Sequence, residues 1–452
     1  MLERETTSSP AGGPAETRGE PERADALFAI RGSVLLDRGR LWRDVRSLAR
    51  ELPEGAYVVN LCEDRYLFSI TFLAALCRRQ VSLLPPSDRP EALRELLREY
   101  PESYAASERE PPLACPWFRV SPPAVAGAAS AIEFEAEQTA VIAFTSGSTG
   151  RPKPCPKTWG TLRTAARLAL RGLELEHARL VMVSTTPPQH MYGLETSVLW
   201  PLFSSLAVYA GRPFFPEDIR RAMRNMPLPC LLATTPTHLW ALARTEGEWN
   251  NLLGLLSSTA NLPETLARRL EAATGVGVRE IYGSTETLSF ALRRTAHDSL
   301  WRPYPGASLS QDGEGSIRLA APHFEEPVRL EDLFRIEPDG RFEALGRPGD
   351  RVKIGGKRGS LADLNRRLTA IEGIADGLFF TVEDERGECR LAAAVVSSLD
   401  RREILAALRE VIDEVFLPRR IHYLNEIPRT ASGKVSQEAL RELLPASKRP
   451  DH

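Results

Sequence analysis

Short apolar runs alternate with amphipathic stretches of helical period along most of this chain, and that alternation limits the folds open to it. Ala56-Tyr57-Val58-Val59-Asn60-Leu61 reads as a strand, Phe68–Cys77 as a strongly apolar helix, Gln80–Leu84 as a strand stopped by Pro85-Pro86, and Arg89–Tyr100 as an amphipathic helix. Before them, Leu27–Asp37 is strand-like, and Leu41, Val45, Leu48 and Leu52 share one helical face. Strands follow at Ala140–Ala143, Leu180–Val183, Leu231–Ala233 and Val276–Ile281, with helices opened by Thr158 and Pro236, near Glu195–Leu202, and over Leu262–Ala273. Such an order specifies an α/β fold of layered, mostly parallel sheets.

The pattern then changes. Ser316–Ala320, Phe334–Ile336 and Phe342–Leu345 are short and separated by turns, which reads as a small β region. Gly346–Asp350 is a turn-forming break. Helices at Leu361–Glu372 and Arg401–Val415, strands near Gly377–Val382 and Arg390–Val396, and a last helix from Ser436 make a smaller α+β unit. The expected organisation is a disordered lead-in at 1–25, a large N-terminal domain at 26–346 and a small C-terminal domain at 347–452. Pro111–Ala129, rich in Pro and Ala, is expected to be a linker.

Composition narrows the function classes. A net charge of -2 argues against nucleic-acid binding, whose domains are usually basic. No apolar run is long enough to span a bilayer, and Met1–Asp25 is polar and Pro/Gly-rich rather than a signal peptide. The cysteines, Cys62, Cys77, Cys115, Cys155, Cys230 and Cys389, form no C-x-x-C pair and are expected to be reduced thiols of a cytoplasmic enzyme. Of 58 basic residues only Lys153, Lys157, Lys353, Lys357, Lys434 and Lys448 are lysine. A lysine kept against that bias suggests a need for a compact ammonium.

Phe144-Thr145-Ser146-Gly147-Ser148-Thr149-Gly150-Arg151-Pro152-Lys153 follows an apolar strand. Glycines allow backbone N–H groups to turn inward, hydroxyls donate further hydrogen bonds, and lysine adds a point charge, so the stretch reads as a phosphate cradle. It is not the P-loop of NTPases: Arg151 and Pro152 separate Gly150 from Lys153, and Pro154 follows. Tyr282-Gly283-Ser284-Thr285-Glu286 offers an aromatic face, hydroxyls and a carboxylate suited to Mg²⁺. Asp332 with Arg347 is placed to bracket a ribose. Pro428-Arg429-Thr430-Ala431-Ser432-Gly433-Lys434 presents an isolated lysine on a Ser/Gly-rich tip.

These motifs, in this order, resemble those of the adenylate-forming superfamily: acyl- and aryl-CoA synthetases, peptide-synthetase adenylation domains and luciferase. The resemblance covers about Leu41 to Leu444. It implies that a carboxylic acid attacks ATP to give acyl-AMP and pyrophosphate, and that a thiol of CoA or an acyl carrier protein then takes the acyl group. It implies a mobile C-terminal domain that inserts Lys434 for the first step. Thr145, Ser146, Gly147, Ser148, Thr149, Gly150 and Lys153 would hold the phosphates, Glu286 the Mg²⁺, and Thr145 would assist catalysis. Ser258-Thr259-Ala260 stands in place of the family's adenine-lining Gly-Gly-Ala. With Tyr282, Gly283, Ser284, Thr285, Asp332 and Arg347 it would complete the ATP/AMP site.

Two departures bear on this. Gly349, with Asp350 next, stands where the family's hinge residue falls, and Gly356-Lys357-Arg358-Gly359-Ser360 lacks the glutamate usual after that turn. For the acid, Pro188-Gln189-His190-Met191-Tyr192-Gly193 resembles the His-x-x-Gly form of acyl and aryl ligases, with His190, Tyr192 and Gly193 expected at the acid pocket. No carboxylate stands there to pair an α-amino group, and Glu195 is expected to face solvent or a helix cap. Asn60–Tyr66 followed by Gln80–Pro86 is similar to compact ligases of aryl-polyene pigment pathways, which implies an aromatic acid loaded onto a carrier protein. The alternatives are a catalytically silent nucleotide- or acyl-binding relative and an amino-acid-adenylating enzyme.

Overall fold

The apolar helix runs Arg65–Cys77, capped by the Asp64 side chain, and every residue from Arg65 to Leu76 is buried. A helix apolar on all sides needs cover on all sides, and this one packs against strands of two different sheets. The computed structural model from which this follows describes residues 24–85, 90–111, 114–123, 128–145, 153–313, 315–346, 351–354, 357–383, 389–429 and 435.

The first sheet has six strands in the order Trp117–Arg119, Ser103–Ser107, Tyr57–Asn60, Val81–Leu84, Thr139–Thr145 and Lys153–Thr158. All pairs are parallel except the last. The second has nine strands, and its interior, Val278–Ser284, Leu252–Ser257, Cys230–Thr234, Val181–Ser184, Ala207–Tyr209 and Leu27–Arg31, is parallel throughout. Antiparallel strands close both of its edges. Helices Arg38–Glu51, Arg65–Cys77 and Trp159–Gly172 contribute to one large core shared by both sheets. The layered α/β class expected from the sequence is therefore what forms. Thr158 caps its helix as expected, its Oγ1 accepting from the Thr161 N–H at 3.2 Å.

Three local expectations change. The presumed linker Pro111–Ala129 contains the strand Trp117–Arg119, paired to the unforeseen strand Ser103–Ser107. Lys153–Thr158 is an edge strand, with Pro154 and Pro156 opposite Phe144 and Ile142; an edge is where a sheet tolerates a missing donor. The helix expected near Glu195–Leu202 is broken into Met191–Leu194, a π-helical turn at Glu195–Leu199, and Trp200–Leu202.

Small antiparallel sheets follow, around Phe290, Trp301, Leu319 and Phe342. Beyond them, strands Ile374–Glu383, Cys389–Ser397 and Arg420–Tyr423 form a three-stranded sheet with helices Leu361–Thr369 and Arg401–Val411. Among the described residues, its core, including Leu364, Leu368, Phe379, Leu391, Val395, Ile404 and Leu408, takes none from before Val352. Residues 347–350 and the expected helix from Ser436 lie outside the described residues, so a domain division at 346/347 is kept as a proposal. Among the described residues no helix is long and apolar enough to cross a membrane, and Cys62, Cys77, Cys115, Cys155 and Cys230 are free thiols.

Candidate active site

Open parallel sheets bind ligands beyond the carboxyl ends of their strands. In the nine-stranded sheet those ends deliver Thr185–His190, Thr235, Ser258–Ala260 and Thr285–Thr287 to one edge. The loops are tied to one another. Thr185 Oγ1 and Thr234 Oγ1 lie 2.8 Å apart, and Ser258 Oγ donates to the Ile281 carbonyl at 2.9 Å. Thr259 holds a positive φ of 78°. Its Oγ1 is buried with no partner from the protein, which leaves an unmet polar group beside the expected adenine position.

The Tyr282–Glu286 stretch spans the end of a strand and the turn into Leu288–Arg293. Gly283 is required by close approach: a Cβ there would sit 2.2 Å from the Leu288 carbonyl oxygen. Within the turn, the Ser284 N–H donates to Thr287 Oγ1 at 3.0 Å and the Thr287 N–H to Ser284 Oγ at 3.2 Å. The Tyr282 ring packs edge-on against Phe290, Trp301, Phe334 and Phe342, and its hydroxyl donates to Asp332 Oδ2 at 2.6 Å. Two residues fifty positions apart are thus joined, and Tyr282 acts on the carboxylate expected at the ribose. Glu286 leaves its side chain exposed on the turn. No group of three His, Cys, Asp or Glu gathers as a metal site among the described residues. A lone exposed carboxylate fits Mg²⁺, which keeps water and substrate phosphate oxygens as its remaining ligands.

His190 caps the short helix Met191–Leu194 with its Nδ1, which accepts from the Tyr192 N–H at 3.3 Å. Tyr192 is buried in the core and donates to the Leu256 carbonyl at 3.2 Å. A Cβ on Gly193 would fall 1.9 Å from the Pro187 carbonyl oxygen, so the loop and helix touch only because that residue is glycine. Glu195 overturns its expectation: it is 4% exposed and turned inward. The whole broken helix, residues 191–202, is buried, and both Glu195 oxygens accept from Ser289, at 3.1 and 3.2 Å from the N–H and 2.5 Å from the hydroxyl. Burial raises the Glu195 carboxyl from 4.5 to about 7, against the Ser289 hydrogen bonds and the charge of Lys157.

Lys153 is described and exposed at the start of its strand; Thr145, opposite it, is described in its backbone. Ser146, Gly147, Ser148, Thr149, Gly150, Arg347 and Lys434 lie outside the described residues. The Asn60–Tyr66 stretch forms part of the frame around these loops. Asn60 Nδ2 donates to the Phe68 carbonyl at 3.0 Å. The Arg65 guanidinium, fully buried, donates to the Ser184 and Thr186 carbonyls at 2.5 and 3.0 Å. Gln189 reaches across to the Cys62 carbonyl at 2.7 Å, joining the two sheets. Sequence reasoning missed Lys157, Ser289 and His323, which surround the Glu286 turn. The scarcity of lysine was the one signal that pointed at Lys157; nothing local marks the other two.

A family model described as AMP-binding enzyme matches residues 51–313. The chain belongs to this AMP-binding enzyme family. Among curated relatives, 4-coumarate–CoA ligase of Rhodobacter capsulatus is 31% identical over 304 residues, covering 66% of this chain and 75% of that protein. Tyrocidine synthase 3 of Brevibacillus parabrevis is 25% identical, covering 68% of this chain; the match spans only 5% of that much longer protein. Among solved structures, the anthranilate CoA ligase AuaEII in complex with anthranoyl-AMP superposes with a TM-score of 0.76 at 17% identity, covering 94% of this chain and 95% of that one. At that identity the likeness speaks to the fold, a large N-terminal and a small C-terminal domain, and within the AMP-binding family it accounts for the parallel sheets and the placement of their loops.

Proposed function

We propose that this AMP-binding enzyme activates a carboxylic acid with ATP to give acyl-AMP and pyrophosphate, then passes the acyl group to a thiol. The observation that carries the reading is the Tyr282–Asp332 hydrogen bond of 2.6 Å. It joins two motifs far apart in sequence at the carboxyl edge of the parallel sheet, the edge that also carries Thr259, whose buried hydroxyl has no partner among the described residues. In this reading Asp332, held by Tyr282 and joined by Arg347, accepts from the ribose hydroxyls. Ser258–Ala260 borders the adenine. Thr145–Gly150 and Lys153 hold the phosphates. Glu286 holds Mg²⁺, which supplies charge neutralisation for the departing pyrophosphate. Lys434, carried by a C-terminal domain that begins near Arg347 and moves between steps, stabilises the charge shared by carboxylate and α-phosphate.

The acid is proposed to be aromatic, as the names of the coumarate and anthranilate ligases suggest, and the acceptor to be CoA or a carrier-protein phosphopantetheine, in the cytoplasm. The compact-ligase motif favours the carrier protein of an aryl-polyene pathway. An amino-acid substrate is disfavoured, because Glu195, the buried carboxylate nearest in sequence to the His190 loop, already spends both oxygens on Ser289. The test is acid-dependent pyrophosphate release over aromatic, fatty and amino acids, followed by mass detection of the thioester with CoA and with holo carrier protein. Release from no acid in the presence of Mg²⁺ and ATP would overturn the reading.

A further inference from the structure

The turn that carries Glu286 is gripped from outside at three consecutive carbonyls. Cys155 Sγ approaches the Thr285 oxygen at 3.7 Å, Lys157 Nζ donates to the Glu286 oxygen, and His323 Nε2 donates to the Thr287 oxygen at 3.0 Å. Cys155 and Lys157 are alternate residues of the strand Lys153–Thr158, so they share a face with Lys153. That face runs from exposed Lys153 through half-buried Cys155 to Lys157, which is 6% exposed.

A buried ammonium is costly unless it is hydrogen-bonded and compensated. Here the Glu286 carbonyl supplies the hydrogen bond, and the Lys157 charge favours the ionised form of the buried Glu195 against its desolvation. An apolar residue would fill the same space without that cost. The ammonium is therefore explained by what it holds, the Glu286 carbonyl.

We propose that Lys157 is a positioning residue: by holding the Glu286 carbonyl, it fixes the carboxylate-bearing turn to the strand that leaves the phosphate loop, and so sets Glu286 relative to the Mg²⁺-bound phosphates. This rests on the adenylation reading above. The strand Lys153–Thr158 and the Glu286 turn belong to different sheets, and the Lys157 hydrogen bond bridges them.

The experiment compares wild type, Lys157→Met, Lys157→Arg and the double variant Lys157→Met/Glu195→Gln in acid-dependent pyrophosphate release, titrating Mg²⁺ and ATP, with thermal unfolding measured alongside. The double variant removes the buried ammonium together with the buried carboxyl that its charge acts on, so its melting temperature returns towards wild type. Its half-saturating Mg²⁺ and its KM for ATP are nonetheless expected to stay raised by about tenfold, the scale at which residues behind a metal ligand act. Lys157→Arg, which keeps charge and donor, restores part of the loss. If the double variant is stable and also shows wild-type Mg²⁺ and ATP dependence, Lys157 serves packing alone and the proposal fails. If wild type itself releases no pyrophosphate, the adenylation reading fails instead, and the two failures are distinct.

Discussion

Glu195→Gln should change how stability depends on pH, and the direction follows from the structure. The Glu195 carboxyl is fully buried, and burial lifts it from 4.5 to about 7. Below 4.5 both folded and unfolded states hold the proton, and the group contributes nothing. Between 4.5 and 7 the unfolded state has released its proton while the folded state keeps it, so folding loses stability as pH rises. Above 7 the folded state bears a buried carboxylate. The accumulated loss is then about 3 kcal/mol, because every tenfold difference in proton affinity between the two states is worth ~1.4 kcal/mol. Glutamine keeps the acceptor that Ser289 uses and never ionises.

Other groups titrate in the same window, which is why a difference is the proper measurement. Burial lowers His323 and His238 from 6.5 to about 4 each. For a base the sign is opposite: the unfolded state gains a proton first as pH falls, so these histidines cost stability on the acid side and partly cancel Glu195. Subtracting wild type from Glu195→Gln in urea denaturation, followed by tryptophan fluorescence at several pH values between 4.5 and 8, removes their share. Trp200, fully buried on the same broken helix, reports the transition. The variant should gain relative stability as pH rises, approaching about 3 kcal/mol by pH 8. Two curves that stay parallel over the whole range would show that Glu195 is ionised throughout, and the account of its burial would be wrong.

Lys434→Ala should abolish acyl-AMP formation yet leave thioester formation from supplied acyl-AMP largely intact; retention of wild-type adenylation would remove Lys434 from the first step. Tyr282→Phe deletes the hydrogen bond to Asp332, and KM for ATP should rise by about tenfold, the worth of one hydrogen bond to a charged group; an unchanged KM would separate Asp332 from the ribose. Gly193→Ala drives a methyl into the Pro187 carbonyl and should destabilise by about 2–3 kcal/mol or more, read as a lowered melting temperature; an unshifted melting temperature would mean the loop yields freely.

The fold was legible because its interior strands are buried on both faces and most of its helices on one, Arg65–Cys77 being buried all round. Val58–Val59, Leu83–Leu84 and Val181–Val183 could only be core, and they are. Ser103–Ser107 escaped notice because its Ser-Tyr-Ala-Ala-Ser sequence has no apolar run, although all of it is buried. Lys153–Thr158 escaped because two prolines argue against a strand, an argument that holds for the interior of a sheet and not for its edge. The extent of the proposed phosphate motif was misjudged: its lysine opens a strand rather than closing a loop.

Glu195 marks the sharper limit. The expectation of solvent or a helix cap fails because every residue from Met191 to Leu202 is buried, the π-helical turn Glu195–Leu199 included. The back-bonds from Thr196 Oγ1 to the Tyr192 carbonyl and from Ser197 Oγ to the Gly193 carbonyl, at 2.8 and 2.6 Å, accompany that turn and are of the kind that bends helices. The partner that makes burial tolerable, Ser289, is 94 residues away on another element. Neither can be seen in the local sequence. A motif reading finds the groups proposed to meet the substrate, since that chemistry needs fixed types at fixed spacings. It does not find Lys157, Glu195, Ser289 and His323, whose identities are set by what faces them across the fold. On this view the two sets should respond differently to substitution. Changes in the first set alter chemistry directly. Changes in the second, such as Lys157→Met, act through the position of the Glu286 turn and can be relieved by a second change across the contact.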